Sequence, residues 1–321
     1  MAGHPGAVPR VDDRYELREH IGRGGFGVVW RAHDTLLQRG VAVKEIRFPG
    51  VLNESERAQA CERVLREARA AARLNHPGAV TVYDVVEDNG QTYIVMELVE
   101  APNLSELVER HGPLSPARMA AVALELLDTL SAAHALRIVH RDVKPANVMV
   151  SESGRVRLAD FGIAAILDDP KVTTSGDITG SPSYMAPEQV NNQPTGPATD
   201  LWSLGATMYF GVEGEPPFSK GAVIPTLTSI ASDAPRPAQR AGALGPVLDA
   251  LLVKDPAGRL DPGTLRRRLT EVATASAPPP APLAPRPDDT VLLDVAPTQA
   301  RTAPEATAVA PPPSPPPPPP P

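Results

Sequence analysis

The chain has 321 residues, 42% of them hydrophobic and 21% charged, which indicates a globular protein long enough for two lobes or domains. Its formal net charge of −7, without a basic stripe or arm, makes nucleic acid a poor candidate partner. The single cysteine, Cys61, excludes an internal disulfide framework, fits no metal-site spacing and suits a reducing cytoplasm, where we expect the protein. We find no signal peptide and no apolar run of membrane-spanning length, so membrane attachment is expected only if the chain is a fragment of a longer protein.

The first part of the chain predicts a small β-rich lobe. Short runs that alternate in polarity or are rich in β-branched residues occur at YELREHIG, GVVWRAHD, GVAVKEIRF, AVTVYDVVED and TYIVMELV. Asn89-Gly90, between the last two runs, is a strong hairpin signal. A helical pattern over 55–74, with Ser55 as its N-cap and a stop signal at 75–78, follows the third run. We therefore predict a five-stranded antiparallel sheet with one inserted helix.

After Pro102 the pattern becomes mainly helical. Helical periodicity runs through NLSELVERHG and SPARMAAVALELLDTLSAAHALR and, beyond Glu188, through SLGATMYFGVEG, LGPVLDALLVKD and PGTLRRRLTEVA. Two short β-like runs, ANVMVSES and GRVRLADFG, interrupt it. The fold class expected is α+β and bilobal, with a small antiparallel β lobe and a larger helical lobe. The expected divisions are a flexible N-terminus over 1–13, a domain over 14–271 with lobes near 14–98 and 102–271, and a disordered proline-rich tail over 272–321.

Gly22, Gly24 and Gly27 in IGRGGFGVV have the spacing G-x-G-x-x-G. The same spacing opens dinucleotide-binding folds, but there a helix follows, whereas here the strand-like GVVWRAHD follows. This context favours a β-turn-β flap whose backbone can lie close over phosphates because glycine has no Cβ. A glycine-rich hairpin without a ligand is the alternative.

Lys44 ends the apolar run VAVK and can reach phosphates beneath such a flap. A lone strand lysine is usually a solvated edge residue, so the interpretation needs a carboxylate that holds it. Glu67 is preferred over Glu62 for this role because it lies one position from an apolar stripe, formed by Val64, Leu65, Ala68 and Ala71.

The stretch HRDVKPAN, residues 140–147, contains the residue types that phosphoryl transfer needs. Asp142 can accept a proton from a hydroxyl, Lys144 can neutralise the transferred group, and Asn147 can bind a metal ion through its amide oxygen. Asp160 follows the strand-like RVRLA, and its carboxylate can bind Mg²⁺ that bridges phosphates. Chemistry of this kind depends mainly on positioning and charge neutralisation.

The ordered motifs GRGGFGVV, VAVK, LREA, HRDVKPAN, DFG, MAPE, DLWSLG and PAGRL resemble those of the eukaryotic-type protein kinase family, over roughly residues 14–270. The lysine two positions after Asp142 resembles the serine/threonine branch, and REARAAARLNHP, YIVMELV and VEGEPPF resemble bacterial members. The resemblance implies transfer of the γ-phosphoryl group of ATP to Ser or Thr hydroxyls of proteins in bacterial signalling. It implies Mg²⁺ as the cation, with Mn²⁺ as an alternative.

The resemblance also assigns a nucleotide pocket and a scaffold around it. The pocket residues it implies are Ile21, Val29, Ala42 and Met149 on the two faces of the adenine, Met96 as gatekeeper, and the backbones of Glu97 and Val99 along the adenine edge. The scaffold residues it implies are His140 and Phe161 in an internal hydrophobic spine, Asp200 as the anchor of the His140-Arg141 turn, and Glu188 as the partner of Arg259.

Regulation is expected at Arg141, where a phosphorylated loop docks in family members with an Arg-Asp pair. Thr173, Thr174 and Ser175 are the candidate phosphosites, with Thr173 slightly favoured over the others. The family usually has threonine where this chain has Ser181, which keeps the hydroxyl. The neighbouring Pro182 is a further departure, at the surface expected to receive the substrate.

The sequence also bears on other partners and functions. The resemblance implies a weak homodimer through the small lobe, and Thr290 in the tail is a candidate autophosphorylation site for a phosphothreonine-binding partner, with an inert spacer as the alternative. A non-catalytic, kinase-shaped scaffold is disfavoured because Lys44, Glu67, Asp142, Asn147 and Asp160 are all present. A small-molecule kinase is disfavoured by the APE segment and the GEPPF turn.

Overall fold

A computed structural model of the chain describes residues 9–24, 27–48, 53–161 and 182–275. Its N-terminal part is one antiparallel sheet with the strand order β1-β2-β3-β4-β6-β5. The strands are β1 (Arg10–Val11), β2 (Tyr15–Gly24), β3 (Gly27–Asp34), β4 (Arg39–Ile46), β5 (Val82–Asp88) and β6 (Gln91–Met96), and helix α1 (Glu54–Ala71) lies between β4 and β5 in the chain.

The prediction of five strands was wrong, because the sheet in the described residues has six: the additional strand, β1, pairs with β2 at the edge. A strand of two residues carries too short a pattern to be recognised from polarity alternation. The predicted hairpin is confirmed, since Asp88 pairs with Gln91 across the two-residue turn. Asn89 and Gly90 have φ values of 50° and 72°, as the type I′ turn requires.

Helix α1 begins earlier and ends earlier than predicted. Its N-cap is Asn53 rather than Ser55, and the Asn53 side chain accepts the N–H of Glu56 at 2.9 Å while Glu56 returns a hydrogen bond to the Asn53 N–H. This reciprocal capping box satisfies two backbone donors that the helix itself cannot. The helix ends at Ala71, its buried residues are Ala60, Val64, Ala68 and Ala71, and Glu67 is half-buried next to Ala68.

The C-terminal part is mainly helical, which confirms the predicted α+β class with a β lobe and a larger helical lobe. Its helices are α2 (Leu104–His111), α3 (Pro116–Ala135), α4 (Pro187–Val190), α5 (Pro197–Glu213), α6 (Val223–Ser232), α7 (Gly245–Leu251) and α8 (Pro262–Ala275). A two-stranded sheet of β7 (Val148–Val150) and β8 (Val156–Leu158) lies between α3 and α4 in sequence.

Strand β8 joins the small sheet to the segment that follows α1. Leu158 forms a parallel bridge with Ala79, donates its N–H to the carbonyl of Gly78 at 2.7 Å and accepts the N–H of Val80 at 2.9 Å. Since the chain continues from Leu158 to Asp160, these bonds fix the position from which the Asp160 side chain enters the site.

Helix α5 is the central support of the helical part, and most of its side chains are buried, including Trp202, which stacks on Phe218. Three polar residues at positions i, i+3 and i+7 lie along one stripe of this helix. Asp200 accepts the N–H groups of His140 and Arg141, Ser203 donates to the carbonyl of Tyr184, and Thr207 donates to the carbonyl of Val143. One buried helix therefore holds the backbone of HRDVKPAN and of the segment after residue 181.

Candidate active site

A cavity of about 420 Å³ brings together residues of the sheet and of the helical part. Almost every residue predicted to contact the nucleotide or the transferred group lines it. These lining residues are Ile21, Gly22, Gly27, Val29, Ala42, Lys44, Met96, Glu97, Val99, Asp142, Lys144, Asn147, Met149 and Asp160. The cavity is therefore the place where the structure assembles the predicted site.

The glycine motif forms the hairpin between β2 and β3, with Gly22 opposite Val29 and Gly24 opposite Gly27. Residues 25 and 26 lie outside the described residues. Gly27 has a φ of 142°, and a Cβ there would overlap the carbonyl oxygen of Glu45 in β4. The third glycine is therefore required by the approach of β4, in addition to any ligand. A Cβ at Gly22 would meet only ordinary contacts with Val29.

Strand β6 ends at Met96, and the chain that continues from it through residues 97–99 lines the cavity. Met96 is 6% exposed and pairs with Ala42 across β4 and β6. The Glu97 N–H donates to the carbonyl of Thr81 at 2.9 Å, so its own carbonyl is the group that can face a ligand. The Glu97 carboxylate lies 3.2 Å from a guanidinium nitrogen of Arg157 in β8.

Three side chains of the HRDVKPAN stretch form one hydrogen-bonded group. Lys144 Nζ donates to Asp142 Oδ2 at 2.7 Å, and Asn147 Nδ2 donates to the same oxygen at 3.1 Å and to the Asp142 carbonyl at 2.8 Å. Among the described residues these bonds engage Oδ2 and leave Oδ1 of Asp142 as the second acceptor. A carboxylate held by a lysine and an amide is oriented to accept one further proton or hydrogen bond.

Asp160 and Asn147 supply the oxygen donors that a hard divalent cation prefers, and both face the cavity. Because Asn147 uses its Nδ2 on Asp142, its Oδ1 is the amide atom left for a cation. Burial alone would raise the pKa of Asp160, but Lys44, Lys144 and His140 lower it below its ordinary value, so the carboxylate is ionised at neutral pH. Within the described ranges no group of three or more His, Cys, Asp or Glu side chains could hold a metal ion. Two ligands completed by phosphate oxygens and water suit Mg²⁺-type coordination, so the residues fit such a cation.

The predicted ion pair between Lys44 and Glu67 is not the one formed in this structure. Lys44 Nζ lies 2.7 Å from Asp160 Oδ2, and the Lys44 side chain is largely buried. Glu67 instead faces Arg141, with 3.9 Å between Oε1 and Nη1. The preference for Glu67 over Glu62 is consistent with its half-buried position, since Glu62 is exposed. Sequence spacing could not show that Asp160 reaches the lysine in this conformation.

The scaffold residues occupy the predicted positions. Asp200 is fully buried and accepts the N–H groups of His140 at 2.8 Å and Arg141 at 2.7 Å. The rings of His140 and Phe161 pack edge to face with centroids 4.6 Å apart. These contacts keep the turn before Asp142 and the residue after Asp160 in one packed unit.

Glu188 and Arg259 form the predicted pair inside the helical part. Two guanidinium nitrogens of Arg259 each donate to a Glu188 carboxylate oxygen at 2.7 Å, and both side chains are almost fully buried. Burial would raise the pKa of Glu188, but Arg259 and Thr199 outweigh it and lower the pKa below its ordinary value. A bidentate pair of this kind fixes α4 to the loop before α8.

Several lining residues were not anticipated. Val80, Leu98 and Ala159 contribute apolar walls, and Asn103 and Glu106 line the cavity from the start of α2. The Asn103 side chain accepts the N–H of Glu106 at 3.0 Å, so these two form a capping box that the pattern N-x-x-E before an apolar run could have indicated. Val80 has no local signal, because only the long-range bridge from Ala79 to Leu158 brings it there.

The candidate phosphosites Thr173, Thr174 and Ser175, and Ser181, lie outside the described residues, as does Thr290. Arg141, the predicted docking residue, lines a second cavity of about 270 Å³ together with Arg63, Arg66 and Glu67. In the part of the chain that the structure covers, no helix has both the length and the apolar composition needed to cross a bilayer.

Comparison with known proteins matches the model of the protein kinase domain to residues 15–267. The serine/threonine-protein kinase PkaA of Streptomyces coelicolor is 36% identical over 278 residues, which are 82% of this chain and 50% of that protein. The serine/threonine-protein kinase PknD of Mycobacterium tuberculosis is 37% identical over 253 residues, 77% of this chain and 38% of that protein. PknA of the same organism is 37% identical over 289 residues, 85% of this chain and 65% of that protein. This chain spans about half the length of the curated relatives it matches.

Proposed function

The chain belongs to the protein kinase family, and we propose from this premise that it transfers the γ-phosphoryl group of ATP to serine and threonine hydroxyls of proteins. The proposal rests on one observation. The same cavity of about 420 Å³ is lined by Lys44, Asp142, Lys144, Asn147 and Asp160. The names of the relatives, all serine/threonine-protein kinases, support the acceptor class, as does a lysine two residues after the proposed base.

In the proposed reaction the acceptor oxygen forms a bond to the γ-phosphorus while the bond from that phosphorus to the β,γ-bridging oxygen breaks, and ADP leaves with the electron pair. Asp142 Oδ1 takes the hydroxyl proton, because Oδ2 is already held by Lys144 and Asn147. Lys144 Nζ, which lies 2.7 Å from Asp142 Oδ2, is placed to neutralise the transferred phosphoryl group as well. The chain's contribution is thus orientation of the hydroxyl and neutralisation of charge.

We assign the cation-binding role to Asp160 Oδ and Asn147 Oδ1, with Mg²⁺ as the proposed ion and Mn²⁺ as the alternative. A bound cation would supply positive charge that offsets the charge of the phosphate groups. Lys44 would bind the α- and β-phosphates. Glu67 would hold Lys44 there once Asp160 engages the cation, which requires both carboxylates to change the partners they have in this structure.

The adenine site is assigned to the apolar part of the cavity. Ile21 and Val29 from the flap and Ala42 from β4 would cover one face of the ring, and Met149 would cover the other. Met96 would limit the depth of the pocket, while the Glu97 carbonyl and the Val99 N–H would hydrogen-bond the ring edge. The glycine flap of Gly22, Gly24 and Gly27 would lie over the phosphates.

Activation by autophosphorylation is proposed at Thr173, Thr174 or Ser175, with Arg141 as the docking residue. The cavity lined by Arg141, Arg63, Arg66 and Glu67 has a net positive lining, which supports the docking of a phosphate there. Replacing all three hydroxyl residues by alanine should abolish the gain in activity that follows preincubation with ATP. Retention of that gain would exclude the segment as the regulatory site.

The remaining assignments are also proposals. We place the catalytic domain at 14–271, with lobes over 14–98 and 102–271, and its action in the cytoplasm, where ATP and protein substrates are available. The N-terminus over 1–13 and the tail over 272–321 are assigned to no catalytic step. A weak homodimer through the small lobe and a phosphothreonine-binding partner for Thr290 complete the proposed partners.

Transfer of label from γ-labelled ATP tests the function. The protein is incubated with Mg²⁺ or Mn²⁺ and a generic protein acceptor, beside an Asp142→Asn variant. Label on Ser or Thr of the acceptor or of the kinase itself, lost in the variant, is the expected result. No label on either protein would favour a kinase-shaped scaffold, and label on a metabolite alone would favour a small-molecule kinase.

A further inference from the structure

Arg141 stands in an unusual backbone conformation immediately before the proposed base. Its φ is 65°, in the left-handed region that non-glycine residues rarely adopt. Such a conformation persists only where the surroundings hold it from several sides. Asp200 accepts the Arg141 N–H at 2.7 Å, and Thr195 Oγ1 accepts its Nε–H at 3.1 Å. These two contacts fix the start of the turn and the side chain, but not the peptide group that leads to Asp142.

That peptide group is held at both of its ends by other side chains. The Asp142 N–H donates to His140 Nδ1 at 3.2 Å. The carbonyl on the other side, that of Arg141, accepts a hydrogen bond from Gln189 Nε2 at 3.0 Å. Rotation of this peptide would move the Asp142 carboxylate, since the Cα of Asp142 is attached directly to it.

Gln189 reaches the turn from α4, the short helix of the APEQ segment. Its other amide atom is also used, because Oε1 accepts the Ala186 N–H at 3.0 Å as a cap of the helix. The glutamine therefore connects two parts of the molecule with one rigid amide. Its Oε1 fixes the start of α4, and its Nε2 fixes the turn that leads to Asp142, the proposed base.

We propose that Gln189 is a positioning residue for phosphoryl transfer: its Nε2–H holds the Arg141 carbonyl and thereby the orientation of Asp142 toward the acceptor hydroxyl. This role rests on the function proposed above. Gln189 does not line the nucleotide cavity, so its loss should lower the rate of transfer and leave nucleotide binding nearly unchanged. A misplaced catalytic group lowers the rate even when the binding pocket is intact.

Three variants separate this role from a merely structural one. Gln189→Leu removes both hydrogen bonds, and Gln189→Glu keeps an acceptor for the Ala186 N–H but cannot donate to the Arg141 carbonyl. Gln193→Leu is the matched control, since Gln193 is an exposed glutamine four residues further on. The measurements are kcat, the KM for ATP and the midpoint of thermal unfolding, on the full chain with Mg²⁺·ATP and a protein acceptor.

For both Gln189 variants we expect kcat to fall about ten-fold or more while the KM for ATP changes less than about two-fold. Gln193→Leu should match the wild-type protein. A wild-type kcat in Gln189→Leu would overturn the role, and so would recovery in Gln189→Glu, because the helix cap alone would then explain the loss. A fall in kcat that accompanies a lower unfolding midpoint and a raised KM would also overturn it. If the wild-type chain transfers no label, the proposed function itself fails, and this role fails with it.

Discussion

Lys44 Nζ lies 2.7 Å from Asp160 Oδ2. The carboxylate that we propose as a ligand of the metal ion is therefore paired with the lysine that we propose as a ligand of the phosphates. We propose Asp160 and Glu67 as alternative partners of the buried Lys44 ammonium group, of which this structure forms the pair with Asp160. Glu67 is meanwhile 3.9 Å from Arg141, a distance that gives only a weak ion pair between half-exposed groups. We expect binding of the nucleotide with its cation to draw Asp160 away and to favour the pair between Lys44 and Glu67.

The first prediction concerns Glu67. Glu67→Gln should lower kcat/KM for ATP about ten-fold or more, because Lys44 would lose the charged partner that holds it on the phosphates. Stability should change little, since the observed contact of Glu67 is long and partly exposed. Steady-state kinetics and a thermal melt measure both quantities. Glu62→Gln is the control from the same helix, and equal kinetics for the two variants would remove Glu67 from the site.

Asp142 and Asp160 should fail in different ways when each is changed to asparagine. Asp142→Asn should bind nucleotide like the wild-type protein but lose roughly 10²–10⁴ in kcat, the usual contribution of a general base. Asp160→Asn should lose the dependence of nucleotide affinity on Mg²⁺, because a neutral amide replaces the ionised ligand. Titration of a fluorescent ATP analogue with and without Mg²⁺ distinguishes them. Normal Mg²⁺ dependence in Asp160→Asn would place the cation elsewhere.

Much of the site could be predicted because its groups are close in sequence. Asp142, Lys144 and Asn147 lie within six residues, so one loop brings them together wherever the fold places it. The hairpin at Asn89-Gly90 was equally local, since its turn needs residues that tolerate positive φ. Local chemistry of this kind is visible in the chain itself.

The features that were missed depend on long-range contacts. The partner of Lys44 was predicted as Glu67, but in this structure it is Asp160, which is distant in sequence and reaches the lysine only through the fold. Val80 lines the cavity only because Ala79 bridges to Leu158 in the other lobe. Such long-range contacts leave no pattern in composition or periodicity, so they are visible only in the folded structure.

Two glycines of the same motif should respond differently to substitution. Gly27→Ala should destabilise the protein by about 1–3 kcal/mol, because alanine is strained at a φ of 142° and its Cβ would overlap the Glu45 carbonyl. Gly22→Ala should cost much less, since a Cβ there would meet Val29 at an ordinary distance of 3.6 Å. Urea unfolding at neutral pH measures the difference. Equal stability of the two variants would show that the β4 backbone does not require the third glycine.

The last prediction concerns the buried pair of Glu188 and Arg259. Glu188→Gln should destabilise the protein by about 3–5 kcal/mol at pH 7, because it leaves the Arg259 charge buried without its partner. The folded-state pKa of Glu188 is below its ordinary value of about 4.3. The stability that the ionised carboxylate contributes is therefore fully present above about pH 4.3 and is lost as the pH falls through the folded-state pKa. The difference in stability between the wild-type protein and the variant, measured by urea unfolding, should therefore shrink on acidification below about pH 4. Glu271→Gln, at an exposed glutamate, is the control and should show neither effect. If the difference in stability between the wild-type protein and Glu188→Gln stays constant down to about pH 3, the carboxylate charge is not what stabilises the pair.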